Sequence, residues 1–212
     1  MKKETVFGIF LSLILLACGL QIPSRQIGEL LFYDDFSSTG NNWDTWYQEG
    51  FSAASELNDA MVIIVEKSNI DVISTNDITY PDISIIAAAQ KRFGADDNIY
   101  GLVCRYLDEN NYYSFLVSSD GYYGIAKMYQ GNYSLLDSQA MQYSELINQG
   151  NAQNLLHVVC SADDLSLYVN GSHLKTVSDG DLTGGRNGFL VGSFENGGEL
   201  VVAFDDFSLR AQ

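Results

Sequence analysis

The side chains able to do chemistry in this chain are carboxylates, phenols and a few cations. Its 212 residues include 27 Asp and Glu, 13 Tyr, 11 Lys and Arg, 3 Cys and 2 His. Cleavage of a glycosidic bond needs two carboxyls flanking it, one with its pKa raised by its surroundings. The adjacent acids Asp34/Asp35 and Asp205/Asp206 do not supply that pair from one strand, because neighbours point to opposite faces. Glu195 and Glu199 flank Asn196-Gly197-Gly198, which is turn sequence. There is no Gly-x-Ser-x-Gly elbow, and neither His157 nor His173 has a nucleophile beside it. Two His exclude a His-rich zinc centre, and the Cys lack the paired spacing of a zinc site. Catalysis is therefore not written into any one segment, although carboxylates from separate strands could still converge.

Binding chemistry is better represented. Sugars are held by aromatic rings that stack on C–H faces and by planar polar groups that meet hydroxyls. On 100–107, period two puts Leu102, Cys104 and Tyr106 on one side and Val103, Arg105 and Leu107 on the other. A core-facing Cys104 then turns Arg105 outward. Tyr112-Tyr113 and Tyr122-Tyr123 each put one ring on each face, and Tyr123, Lys127 and Tyr129 share a side. The candidate carbohydrate face thus comprises Arg105, Tyr112 or Tyr113, Tyr123, Lys127 and Tyr129. Trp43 and Trp46 offer a further platform from a loop. The competing expectation is that these rings pack in the core or form cross-strand ladders. Calcium, which takes six to eight oxygens, is a second candidate ligand. Asp34, Asp35, Asp205 and Asp206 would hold it if the terminal strands pair, and Asp179-Gly-Asp181 is another possible loop. The bland alternative is that these acids flank strands and keep edges from aggregating.

The elements that must position these groups are strands. Apolar or alternating runs recur at 31–36, 60–65, 83–90, 100–107, 112–118, 122–129, 133–136, 155–161, 165–169, 173–177, 188–194 and 200–209. Asp120-Gly121 and Asn170-Gly171 are hairpin signals, because a two-residue turn needs positive φ. Asp108-Glu-Asn-Asn111 is a polar hairpin loop, and only 138–148 is ambiguous between a helical turn and a loop. About twelve short strands without a fixed repeat predict an all-β antiparallel sandwich or barrel. Asp34-Asp-Phe-Ser37 is echoed by Asp205-Asp-Phe-Ser208. First and last strands of such a sandwich pair, so these segments are expected to be neighbours.

Residues 1–17 read as a secretory signal: Lys2 and Lys3, then an uncharged apolar run too short to span a bilayer. The run ends in Leu15-Leu-Ala-Cys18, which resembles a bacterial lipobox with Cys18 as the lipidated residue. The sequence then divides into a signal (1–17), a lipidated tether (18–30) and one domain (31–212). The expected location is a bacterial cell surface or periplasm, with membrane contact through the lipid alone. Cys104 and Cys160 remain as an even pair in an oxidising compartment. They form either a disulfide or two buried free thiols. A net charge of −16 argues against nucleic acid, whose phosphates demand Lys and Arg, and against a basic lipid-binding patch.

Six pieces in order carry a family resemblance: Asp34-Asp-Phe-Ser with Trp43, the 100–115 hairpin, Asp120-Gly-Tyr-Tyr-Gly, Leu165-Ser-Leu-Tyr-Val-Asn-Gly, Gly184-Gly-Arg-Asn-Gly and Phe204-Asp-Asp-Phe. Together they resemble the concanavalin A-like lectin/glucanase superfamily, and within it a bacterial laminin-G-like and 3-keto-disaccharide-hydrolase-like branch. The resemblance implies a jelly-roll of two antiparallel sheets, often with carbohydrate on one face, and in some members a structural calcium. The superfamily's glucanases place their acids on one strand as Glu-x-Asp-x-x-Glu, a spacing no strand-like run here contains. The leading expectation is a non-catalytic module for a glycan or cell-envelope polysaccharide. The alternatives are a protein-interaction or structural module and a keto-sugar glycoside hydrolase.

Overall fold

The structure is a computed structural model and describes residues 26–194 and 198–212. The expected signal, Cys18 and most of the tether lie outside them. The first strands in the chain are β1 (Leu30–Asp34), β2 (Trp46–Gln48), β3 (Ser52–Glu56), β4 (Met61–Val65) and β5 (Ile70–Asn76). Next come β6 (Ile83–Phe93), β7 (Asn98–Asp108), β8 (Asn111–Val117), β9 (Tyr122–Tyr129), β10 (Asn132–Leu135) and β11 (Gln142–Tyr143). The last are β12 (Asn154–Ser161), β13 (Asp164–Val169), β14 (Ser172–Ser178), β15 (Arg186–Ser193) and β16 (Leu200–Ala211). Every run picked out by alternation is a strand, and no helix occurs among the described residues. Four strands carry too little apolar patterning to show in the sequence. These are β2, β3, β5 and β11, the last of which settles the ambiguous 138–148 segment as a short strand among turns.

The strands form a two-sheet antiparallel jelly-roll. One sheet has nine strands in the order β14-β13-β12-β6-β16-β4-β3-β2, with β1 beside β16. The other has seven, in the order β10-β9-β8-β7-β15-β5, with β11 beside β9. The Asp-Asp-Phe-Ser echo is a pairing: Tyr33 faces Ser208 and Asp34 faces Phe207. The Asn170-Gly171 turn has φ of 52° and 81°, the left-handed pair that a tight hairpin requires.

The core lies between the sheets. Ile63, Ile83, Ile85, Leu156 and Leu167 meet Tyr100, Leu102, Tyr113 and Phe115, all buried. Phe189 stacks on Trp43 at 4.9 Å and on Phe204 at 4.3 Å, and Phe207 meets Trp43 edge-on. Trp43 is therefore core rather than a surface platform, its Nε1 donating to Asp34 Oδ2 at 2.8 Å. Cys104 on β7 and Cys160 on β12 form a disulfide that ties the two sheets through this core.

In the nine-stranded sheet β12 alternates buried and partly exposed positions, as a strand with one wet face must. In the seven-stranded sheet β8 is buried at every position from Tyr112 to Val117, and β15 from Asn187 to Ser193. Its outer face is covered too. Ile99, Val103, Leu116, Ala126 and Leu190 form a second apolar cluster there, on which Leu135 and Met141 pack from the segment after β9.

Candidate ligand groove on the seven-stranded sheet

That cover is incomplete, and what it leaves open is a groove. Its main depression, about 520 Å³, runs from the β2–β3 hairpin past β5 to the turn after β7. Trp46, Gln48, Phe51 and Ser52 line one end, and Tyr106, Glu109 and Tyr112 the other. A second depression of about 270 Å³ continues from it, lined by Ile99, Tyr133 and Ser193 among others. Asp71 and Met128 line both.

Local backbone chemistry builds the aromatic wall. Strict alternation would keep Tyr106 with Cys104 on the core side. Instead Arg105 has φ of 54°, and the β7–β8 register slips between Cys104 and Asp108. This bulge breaks the period of two. Cys104 and Arg105 both stay inside, and Tyr106 turns outward to stack on Tyr112, ring centroids 5.8 Å apart. The Arg186 guanidinium lies 5.2 Å from the Tyr106 ring centre and ion-pairs with Asp44 at 3.1 Å. Trp46 is fixed by a 3.0 Å hydrogen bond from its Nε1 to Ser52 Oγ.

Asp71 stands opposite, on β5. It pairs across the ladder with Gly192, where a side chain could not be accommodated: an added Cβ would lie 2.1 Å from Asp71 Oδ1 and 2.7 Å from Ile99 Cγ1. The missing side chain at 192 is what lets the carboxylate lean over the sheet. Asp71 keeps solvent-exposed surface, yet its neighbours displace enough hydration to raise its pKa. The nearby phenols respond to the same surroundings. Desolvation, then the Asp71 charge, pushes Tyr133 up to about 12 and Tyr112 higher still. Both are neutral hydroxyls at physiological pH. Among the described residues no hydrogen bond engages the Asp71 carboxylate or the Tyr106, Tyr112 and Tyr133 hydroxyls. The groove thus presents free donors and acceptors beside stacked rings.

Of the residues expected on one face, Tyr112 and Trp46 meet in this groove. The others point the opposite way. Arg105 is buried, donating to the carbonyls of Pro81 (3.1 Å) and Leu182 (2.9 Å), and it reaches Asp82 at 3.5 Å. Tyr113 is core, and its hydroxyl donates to Asp179 Oδ1. Tyr123 and Tyr129 pack on the inter-sheet core. Lys127 ion-pairs with Asp179 and Asp181. Desolvation pulls its pKa down, but hydrogen bonds to both carboxylates outweigh that and the net shift is upward. The sequence held the signal for this: Ile125 shares their side and is fully buried. Tyr106, Asp71, Glu109, Met128 and Tyr133 were missed. A bulge hid Tyr106, and Asp71 sits on a strand the pattern did not reveal.

The calcium candidates have other partners. Asp34 accepts from Phe36 N and Trp43 Nε1, Asp35 from Ser37, Asp205 from Asp206 N, and Asp206 from the Tyr33 hydroxyl at 2.6 Å. Asp179 and Asp181 hold Lys127. Among the described residues no three metal-ligating side chains cluster. The terminal strands do pair, with a bulge at Asp206 (φ 53°) between Asp205 and Ser208.

No protein-family model matches this chain, and no curated protein matches it. Solved structures do. A carbohydrate-binding module, CBM66, from Bacillus subtilis aligns with TM-score 0.66 and 15% identity over 81% of this chain and 96% of that one. A Bacillus subtilis protein of unknown function with a galectin-like fold aligns with TM-score 0.62 and 12% identity, over 88% and 97%. The GH43 protein BlXynB from Bacillus licheniformis aligns with TM-score 0.64 and 15% identity over 85% of this chain but only 39% of its own length. At these identities the likeness is one of fold.

Proposed function

We propose that this protein binds carbohydrate chains without cleaving them, in the groove between the β2–β3 hairpin and the outer face of the seven-stranded sheet. One observation carries this reading. The stacked Tyr106 and Tyr112 rings, Trp46, and the unengaged Asp71 and tyrosine hydroxyls line a single depression. Rings cover the apolar face of a sugar, and the polar groups meet its hydroxyls. The structural likeness to a carbohydrate-binding module supports it at the level of fold. The groove passes into a second depression, which suits an extended chain over a single sugar. The lipid on Cys18 would hold this module at a bacterial membrane surface, within reach of envelope polysaccharide.

The test is calorimetry of the full chain against a panel of oligosaccharides. Trp46→Ala and Tyr106→Ala should each weaken the responding ligand about tenfold, the weight of one stacked ring. Their melting curves report whether the fold is intact. Undiminished affinity in both variants would remove the groove from consideration. Glycoside hydrolysis is a second reading, favoured by one fact: Asp71, with its raised pKa, and Glu109 line the same groove. Release of reducing ends that disappears in Asp71→Asn would establish it in place of simple binding.

A further inference from the structure

Charge is unevenly distributed around the groove. Among the described residues Asp71 and Glu109 are the only charged side chains lining its two depressions, and both are acids. Two cations stand against rings that line it, Arg186 at Tyr106 and Lys67 at Phe51. Arg186 is held by Asp44 and lies 3.7 Å from Asp77, and Lys67 stands over the Phe51 ring at 5.1 Å. Asp71 occupies the junction of the two depressions, so a chain running through both must pass it. The groups facing it are Tyr112 from β8 and Tyr133 from β10, both neutral, with Gly192, Ile99 and Met128 from the strands between. None of them neutralises the carboxylate.

We propose that the groove selects glycans bearing free amino groups, an ammonium on the sugar meeting the Asp71 carboxylate where the two depressions join. This rests on the carbohydrate reading and narrows it. A charge-assisted hydrogen bond is about twice as strong as a neutral one. Partial desolvation at Asp71 strengthens the attraction to a cation, and it penalises a uronate or a phosphate-bearing sugar brought to the same place. The phenol hydroxyls, Gln48 and Ser52 remain for the uncharged hydroxyls of the chain.

Calorimetry of the full chain should compare β-1,4-linked hexamers of glucosamine, N-acetylglucosamine and glucose with an oligogalacturonate. The expected order is glucosamine tightest, by about tenfold over the neutral hexamers, with no heat from the galacturonate. In Asp71→Asn most of the preference for the glucosamine hexamer should disappear, leaving only what Glu109 and the net charge contribute. A protein of net charge −16 attracts any polycation, so Asp163→Asn, remote from the groove, serves as control and should keep the preference. A preference that survives undiminished in Asp71→Asn overturns the assignment in favour of unspecific attraction. Equal affinity for amino and neutral hexamers in the wild type overturns it while leaving the carbohydrate reading standing. Silence from every oligomer overturns both.

Discussion

Removing the bond between the sheets should cost this protein much of its stability. Cys104 and Cys160 are 56 residues apart in sequence, and both are fully buried. Cross-linking a loop of that size takes about 14 cal/mol/K from the unfolded chain, or about 4 kcal/mol at 25 °C. Replacing both residues with Ala also removes two sulfurs from a packed core, adding about 1 kcal/mol. In a domain of this size each kcal/mol moves the melting temperature by about 2–4 °C, so the double variant should melt about 10–20 °C lower. Urea unfolding followed by circular dichroism would measure it. The urea dependence should also steepen, because an uncrosslinked unfolded chain exposes more surface. A loss below about 1 kcal/mol with an unchanged slope would show that the cross-link does not restrict the unfolded chain, and would refute the entropic argument.

Four further outcomes follow from the groove and the side chains around it. Arg105→Met should destabilise by about 3 kcal/mol, because the buried Leu182 carbonyl and the part-buried Pro81 carbonyl lose their donor; a urea series checks it, and near-wild-type stability would mean water replaces the guanidinium. Gly192→Ala should push the Asp71 carboxylate off the sheet, costing about 1–3 kcal/mol by overpacking and weakening ligand binding in the same calorimetric assay. Asp71→Asn should melt higher than wild type at pH 7. Desolvation raises the Asp71 pKa in the folded state, so its charge opposes folding above that pKa; the gain should fade as pH falls toward the ordinary value of 3.8, and a pH-independent gain would exclude titration as its cause. Asp179 has the opposite sign. Despite desolvation, hydrogen bonds from Lys127 and Tyr113 lower its pKa, so its contribution is present above pH 3.8 and is lost as pH falls through the lowered value.

The sequence was most informative where its pattern records burial directly. Period-two alternation located twelve strands, because a strand between core and solvent must alternate. Asn170-Gly171 announced its hairpin because few residues accept positive φ at two successive positions. The Asp-Asp-Phe-Ser echo paired the first and last of the described strands. An even pair of Cys in strand-like runs left disulfide and free thiols as the two options, and the fold brings the sulfurs together.

The binding face was beyond that kind of inference. Alternation gives two faces per strand but does not say which is core, and the side carrying Tyr123, Lys127 and Tyr129 turned out to face inward with Ile125. A single bulge at Arg105 then reversed the parity of β7, burying the arginine and turning out Tyr106. Asp71 reaches the groove only because glycine stands across the ladder at 192, 121 residues away in the chain, and Trp46 reaches it from the other sheet. Strand identity is local, a matter of which side chains alternate. The groove is a product of register, bulge and sheet closure, which are set by contacts between residues far apart in sequence.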